Sequence, residues 1–179
     1  MPRIRRGRAR REGVGAPGVR GDHFSADVLE LIETFERHGV RVLVVGGEAV
    51  IYHGYPRLTG DVDFWYEQSS ENAGRLFAAL LEFWNGDVPG VPAVEDLLTP
   101  GVIVQFGRPP HRVDMIAAID GVDFAEAWPH RIEENLELPT GRGTRIAIIG
   151  LADLVRNKRV SGRHKDLDDV EHLEPLLKG

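Results

Sequence analysis

Val42-Leu43-Val44-Val45-Gly46-Gly47 and Gly60-Asp61-Val62-Asp63-Phe64-Trp65-Tyr66, with thirteen residues between Gly47 and Asp61, are the two stretches on which the fold turns. The first is a continuous apolar run of the kind found in a strand covered on both faces, and it ends abruptly on two glycines. The second alternates. In a strand successive side chains point to opposite faces, so Asp61 and Asp63 share one face while Val62 and Phe64 point into a core. Two carboxylates on one face repel each other unless a proton or cation intervenes, and such a pair suits Mg²⁺, which takes a few carboxylates together with substrate phosphate oxygens. Glycines at the end of the first strand let a backbone approach a phosphate closely, and the helix that follows offers free amide donors.

Outward from this centre the chain reads as a mixed α/β domain. Val28, Leu31, Ile32 and Phe35 fall at helical spacing, with Ser25 placed to cap the start and Gly39 to end the turn. Ala49 to His53 reads as a short helix closed by Gly54, and Pro56 to Gly60 as a loop. Asn72 to Trp84 forms a further helix with Leu76, Leu80 and Leu81 inward. Val102 to Phe106 and Arg112 to Ala117 form a hairpin about the Gly107 to Pro110 turn. Ile132 to Leu138 and Arg145 to Ile149 add apolar segments of strand character, and helices at Leu151 to Val160 and Lys165 to Leu177 close the chain. Trp65 and Trp84 are read as core aromatics. The expected organisation is an Arg-rich flexible tail over residues 1–24 and one domain over residues 25–179, a mixed central sheet flanked by helices.

Composition sets the limits. At 179 residues, 42% hydrophobic and 28% charged, the chain has the makings of one globular core. Residues 1–24 hold seven arginines against Glu12 and Asp22, a balance of +5, which leaves −11 on the remainder of a chain whose net charge is −6. An acidic body argues against broad nucleic-acid coating and leaves room for a local basic groove holding one RNA end. No run has the roughly 20 apolar residues of a membrane span and no apolar segment follows the charged start, so a cytoplasmic location without membrane partners is expected. Cysteine is absent, so thiolate sites are excluded and oxygen-bound hard cations are favoured. None of the seven histidines shows the i, i+4 pairing of a helical zinc site, so His53, His111 and His164 are assigned to structure or solvent. A dinucleotide-binding reading of the first strand fails because the Gly-x-Gly-x-x-Gly spacing is missing.

Taken together, Val45-Gly46-Gly47 and Asp61-Val62-Asp63-Phe64 resemble the signature of the DNA polymerase β-like nucleotidyltransferases. That resemblance implies a third carboxylate on a later strand, and Asp114, the only acid within Arg112-Val113-Asp114-Met115-Ile116, fits the position; the alternative is an aspartate paired with Arg112 or Arg57. It further implies two Mg²⁺ or Mn²⁺ ions held by Asp61, Asp63 and Asp114, and transfer of a nucleoside monophosphate from an NTP to a hydroxyl. The acceptor would be a protein, an RNA or a small molecule. Gly46-Gly47-Glu48-Ala49, His53-Gly54, Arg57, Thr59, Lys158 and Lys165-Asp166 are similar to motifs of a narrower bacterial group related to the abortive-infection nucleotidyltransferase toxins, which brings in a cognate toxin or antitoxin as a partner. Those toxins carry an additional helical domain for which this chain has no room, so their substrate choice is not implied.

On that reading Gly46, Gly47, Arg57, Thr59, Lys158 and Asp166 bind nucleotide. Lys158 lies at i+7 from Leu151, i+4 from Leu154 and i+3 from Val155, on the inward stripe of its helix, and Asp166 does the same relative to Val170, Leu173 and Leu177. An inward Lys and Asp either satisfy each other as a buried pair, or Lys158 reaches a triphosphate with Asp166 orienting it; both can hold at once. Arg57 and Thr59 are either phosphate contacts or a loop charge and a turn hydroxyl. A non-catalytic nucleotide- or partner-binding module with the same fold is the alternative function.

Overall fold

The structure is a computed structural model, and it describes residues 24–108, 112–138 and 140–178. The Arg-rich segment up to His23, His111 and the tip of the expected Gly107 to Pro110 turn lie outside the described residues. Phe24, the last residue of the expected tail, is buried in the core.

The chain folds as an α/β structure on one mixed six-stranded open sheet. In chain order the elements are α1 (Ala26–Arg37), β1 (Val42–Val45), α2 (Gly46–Tyr52), β2 (Asp61–Tyr66), α3 (Ser70–Phe83), β3 (Ile103–Phe106), β4 (Arg112–Ile116), α4 (Phe124–Ala127), β5 (Ile132–Glu137), β6 (Gly143–Ile148), α5 (Leu151–Ser161) and α6 (His164–Leu173). The strand order is β3-β4-β2-β1-β6-β5. β2 runs parallel to β4 and β1 parallel to β6, while the β1–β2, β3–β4 and β5–β6 pairs are antiparallel. Among the described residues no helix is long and apolar enough to cross a membrane.

Local chemistry explains the main elements. The Ser25 hydroxyl accepts the Val28 amide at 3.3 Å and starts α1, whose Phe35 ring meets Phe64 of β2 edge-on at 5.6 Å. Ser69 likewise caps α3 through the Asn72 amide. Asn72 is buried and fully used: its side chain donates to the carbonyls of Arg41 and Glu67 and accepts the Arg41 amide at 2.7 Å, tying the start of β1 to the end of β2. Val45, the last residue of β1, pairs with Asp63, and Asp63 pairs with Asp114 in the parallel ladder. One row across the sheet therefore holds Val45, Asp63 and Asp114, near the end where β1 stops and β2 and β4 begin.

Several boundaries differ from the sequence reading. α2 begins at Gly46 rather than Ala49, because the chain turns at Gly46 with φ +63° and enters the helix at once. α6 ends at Leu173 and gives way to a 3-10 turn over Glu174–Lys178, since Pro175 has no amide with which to continue an α-helix. The α4 turn and a 3-10 segment over Val94–Leu98 are too short for periodicity to reveal.

Candidate metal and nucleotide site

The site is a cleft at that end of the sheet. It is floored by the carboxylates of β2 and β4, walled on one side by the β1–α2 corner with Arg57 and Thr59, and roofed by α5 and α6 with Asn157, Lys158, Arg163 and Lys165. Parallel pairing of β2 with β4 sets Asp61 opposite Arg112 and Asp63 opposite Asp114. Each of Asp61, Asp63 and Asp114 offers a carboxylate oxygen, and these oxygens all lie within 4.8 Å of one another. All three aspartates anticipated from the sequence thus converge, although fifty residues separate Asp63 from Asp114.

Convergence has an electrostatic cost. Burial, and then the charges of Asp61 and Asp114, push the Asp63 carboxyl up to about 6, against the opposing pull of Lys158 and Lys165. Arg112 relieves part of the repulsion. Its Nε donates to Asp114 Oδ1 at 2.9 Å and its Nη2 to Asp61 and to Asp114 Oδ2, so one guanidinium bridges two of the three acids. Gln105 adds a bond from its Nε2 to Asp114 Oδ2 at 3.1 Å. Asp114 therefore has both of the environments foreseen for it, the shared cluster and the pairing with Arg112.

The two glycines make room for neighbouring side chains. A Cβ on Gly46 would lie 1.8 Å from Asp63 Oδ2, and one on Gly47 would lie 2.5 Å from Thr59 Oγ1 and 3.3 Å from Arg57 Nη1. Gly46 thus seats Asp63, and Gly47 seats the Arg57–Thr59 loop. Thr59 in turn donates from Oγ1 to the carbonyl and Oδ1 of Asp61, each at 3.2 Å, holding the first carboxylate at the mouth of β2.

Over the cleft, Lys158 and Asp166 form a buried pair, one of the two arrangements that their helical phases left open. Lys158 is 2% exposed, and its Nζ lies 2.8 Å from Asp166 Oδ1 and 3.1 Å from Asp169 Oδ2. Both aspartates are 0% exposed. Arg57 grips Asp169 with Nε at 2.8 Å and Nη2 at 3.1 Å, and Arg163 donates to Asp166. Burial raises the Asp166 carboxyl, yet the bonds from Arg163 and Lys158 outweigh it and hold the group below its ordinary value. Three cations against two carboxylates leave the assembly at +1 above an acidic floor. Arg57 and Lys158 are thus committed to aspartates of α6, and they line the cleft as well.

Sequence reasoning did not assign Asp169 or Arg163 a place in the site, and it named Arg112 only as an alternative partner of Asp114, without its bridge to Asp61. Asp169 had a signal, since it follows Asp166 at i+3 and precedes Leu173 by four, on the inward stripe of α6. The bridge from Arg112 to Asp61 had none, because it depends on which strand lies beside β4. His53 donates from Nε2 to the Ile149 carbonyl at 2.8 Å, the structural role expected of it, and His164 opens α6 at the surface. Trp65 is buried, and Trp84 is partly buried against the core and Phe106. No protein-family model and no curated protein matches this sequence.

Proposed function

We propose that this chain is a metal-dependent nucleotidyltransferase of the DNA polymerase β type, related to the abortive-infection toxins, that moves a nucleoside monophosphate from an NTP to a hydroxyl. The observation that carries this reading is the Asp63–Asp114 register, which gathers three carboxylates within 4.8 Å beneath a roof of cations. The donor set fits Mg²⁺ or Mn²⁺: all three ligand groups are carboxylates, no thiolate exists in the chain, and burial, with the neighbouring carboxylates adding to it, disfavours the bare charge on Asp63. Asp61, Asp63 and Asp114 would hold the ion, which when bound neutralises them and polarises phosphate and acceptor oxygens.

The chain's own groups account for the rest. Lys165 of α6, and Arg163 just before that helix beyond its contact with Asp166, line the cleft and supply positive charge where a triphosphate would lie. Thr59 fixes Asp61, and Gly46 and Gly47 keep the corner open. Lys158 and Asp166 act as a positioning pair that locks α5 to α6 and aims the roof. Incubation of the chain with each labelled NTP, Mg²⁺ or Mn²⁺ and cell extract tests the reading. Label on protein, RNA or a small molecule is expected, and its absence with all four nucleotides under both metals would refute transfer.

A second reading, a nucleotide- or partner-binding module without catalysis, draws support from Arg112. A guanidinium that bridges Asp61 and Asp114 can satisfy those carboxylates with no metal at all. Nucleotide binding that is equally tight in chelator and in Mg²⁺ would favour this module over the enzyme.

A further inference from the structure

The cleft changes character from one side to the other. Side chains alternate along a strand, so Ile116 lies on the same face as Asp114, two residues or about 7 Å further along β4. Ile103 pairs with Ile116 across β3 and β4, Ile119 follows just beyond the strand, and all three line the cleft. Beside the three acids the floor therefore turns from carboxylate to hydrocarbon. The cations gather on the opposite side. Arg57 sits against Gly47 at the β1–α2 corner, and its grip on Asp169 brings in α6 with Lys165, and Arg163 just before it. The strand order β3-β4-β2-β1 puts three strand spacings, about 14 Å, between β1 and β3.

α5 spans the two sides. Lys158 reaches Asp166 and Asp169 on the cationic one. Its neighbour Asn157 turns the other way: Nδ2 donates to the carbonyl of Asp120, the residue after Ile119, at 3.0 Å, and Ser161 Oγ bonds the Asp120 carboxylate at 2.8 Å. A carbonyl only accepts, so this bond fixes which end of the Asn157 carboxamide is nitrogen and which is oxygen. Asn157 is 8% exposed and lines the cleft. Among the described residues nothing donates to its Oδ1, and Oδ1 is not closed off from solvent as the unpartnered Arg41 Nε is. Asn157 thus offers the apolar side an oriented acceptor without a partner.

We propose that this apolar side is the base subsite of the cleft, and that Asn157 selects a base with an amino group at the pyrimidine 4 or purine 6 position, cytosine or adenine. The inference rests on a nucleotide occupying the cleft, which the enzyme and the binding-module readings share. A nucleoside triphosphate has one strongly anionic end and one flat, largely apolar end, joined at the α-phosphate. With the triphosphate among Arg57, Arg163 and Lys165 and the α-phosphate above the acids, the base meets the isoleucines. An apolar wall with a few placed polar groups is how ligand pockets hold and orient a ring. The amino groups of cytosine and adenine donate, whereas uracil and hypoxanthine carry a carbonyl oxygen at the same position. Their ring N–H also donates, but it lies beside that carbonyl, which Oδ1 repels. Two acceptors would then oppose each other with no donor between them, the mismatch that polar sites reject most strongly.

Calorimetry of the full chain in Mn²⁺ with CTP against UTP and ATP against ITP, each pair exchanging amino for keto, tests the proposal. CTP should bind roughly tenfold tighter than UTP, and ATP roughly tenfold tighter than ITP. Asn157→Leu removes the acceptor and should bring each pair to within about twofold. Ser161→Ala loosens the same tie between α5 and Asp120 but keeps the carboxamide, so it should retain the preference. Ile119→Ser should weaken all four nucleotides by a similar factor. The wild-type comparison needs no variant to fold. Equal affinities within either pair, a preference for UTP or ITP, or an amino preference that survives Asn157→Leu each overturn the base assignment and leave metal-dependent nucleotide binding standing. Failure of all four to bind in Mn²⁺ removes the nucleotide site itself, and the base subsite with it.

Discussion

Gly46 and Asp63 occupy each other's space: a methyl group at residue 46 would sit 1.8 Å from the Asp63 carboxylate oxygen, on a backbone already at φ +63°. Gly46→Ala therefore meets both conformational strain and a clash, and should destabilise the fold by about 1–3 kcal/mol while displacing the central carboxylate. In a double-mutant cycle with Asp63→Ala the severe clash goes, leaving the strain and a tight 3.1 Å contact with the residue 63 Cβ, so the two costs should be clearly less than additive. Urea denaturation of the four proteins measures this, and strict additivity would mean that the two residues do not interfere.

The raised Asp63 carboxyl makes a pH prediction for the chelated protein. Its folded value of about 6 lies above the ordinary 3.8, so the folded state holds the proton more tightly than the unfolded chain. The contribution to stability is full below about pH 4 and is lost as pH rises toward and past 6, by at most about 3 kcal/mol for this partly exposed group. Asp63→Asn should remove that slope and make the metal-free protein more stable than the parent at pH 8. Melting curves of both proteins in EDTA at pH 5 and pH 8 decide it.

Arg112 competes with a cation for Asp61 and Asp114. Arg112→Gln should lower the melting temperature of the chelated protein, because the carboxylates then face one another unrelieved, and should tighten Mn²⁺ binding measured by calorimetry. If Mn²⁺ binds no better than to the parent, the guanidinium is no competitor and the metal assignment weakens.

Lys158→Met keeps the apolar stem and removes a buried ammonium that two fully buried carboxylates share. The loss should be about 3–5 kcal/mol, as for other broken buried pairs, and adding Asp166→Asn should restore part of it. A variant of unchanged melting temperature whose NTP affinity alone collapses would make Lys158 a nucleotide ligand first.

Asp114→Asn should cut transfer by several orders of magnitude, roughly 4 kcal/mol or more, while sparing much of NTP binding, because a group acting near the acceptor is felt mainly in the transition state. Asp63→Asn, at the centre of the cluster, should damage both. Rates and nucleotide affinities of the two variants are the measurement, and wild-type transfer by Asp114→Asn would remove it from the site.

Local pattern in the chain was enough to mark the two carboxylates on one face of β2, the buried β1 run, the capped α1 and the inward phases of Lys158 and Asp166, because each depends on a fixed period of strand or helix and on nothing distant. Asp114 was found by resemblance rather than by period. Only the tertiary structure decided that β4 lies parallel beside β2, and that single pairing is what makes three acids a cluster and turns Arg112 inward to bridge it. It also decided that Asp169 joins Arg57 to Lys158 across more than a hundred residues, and that β3 is an edge. Strand order and register arise from long-range burial of whole faces, a property of the assembled sheet that no window of sequence contains.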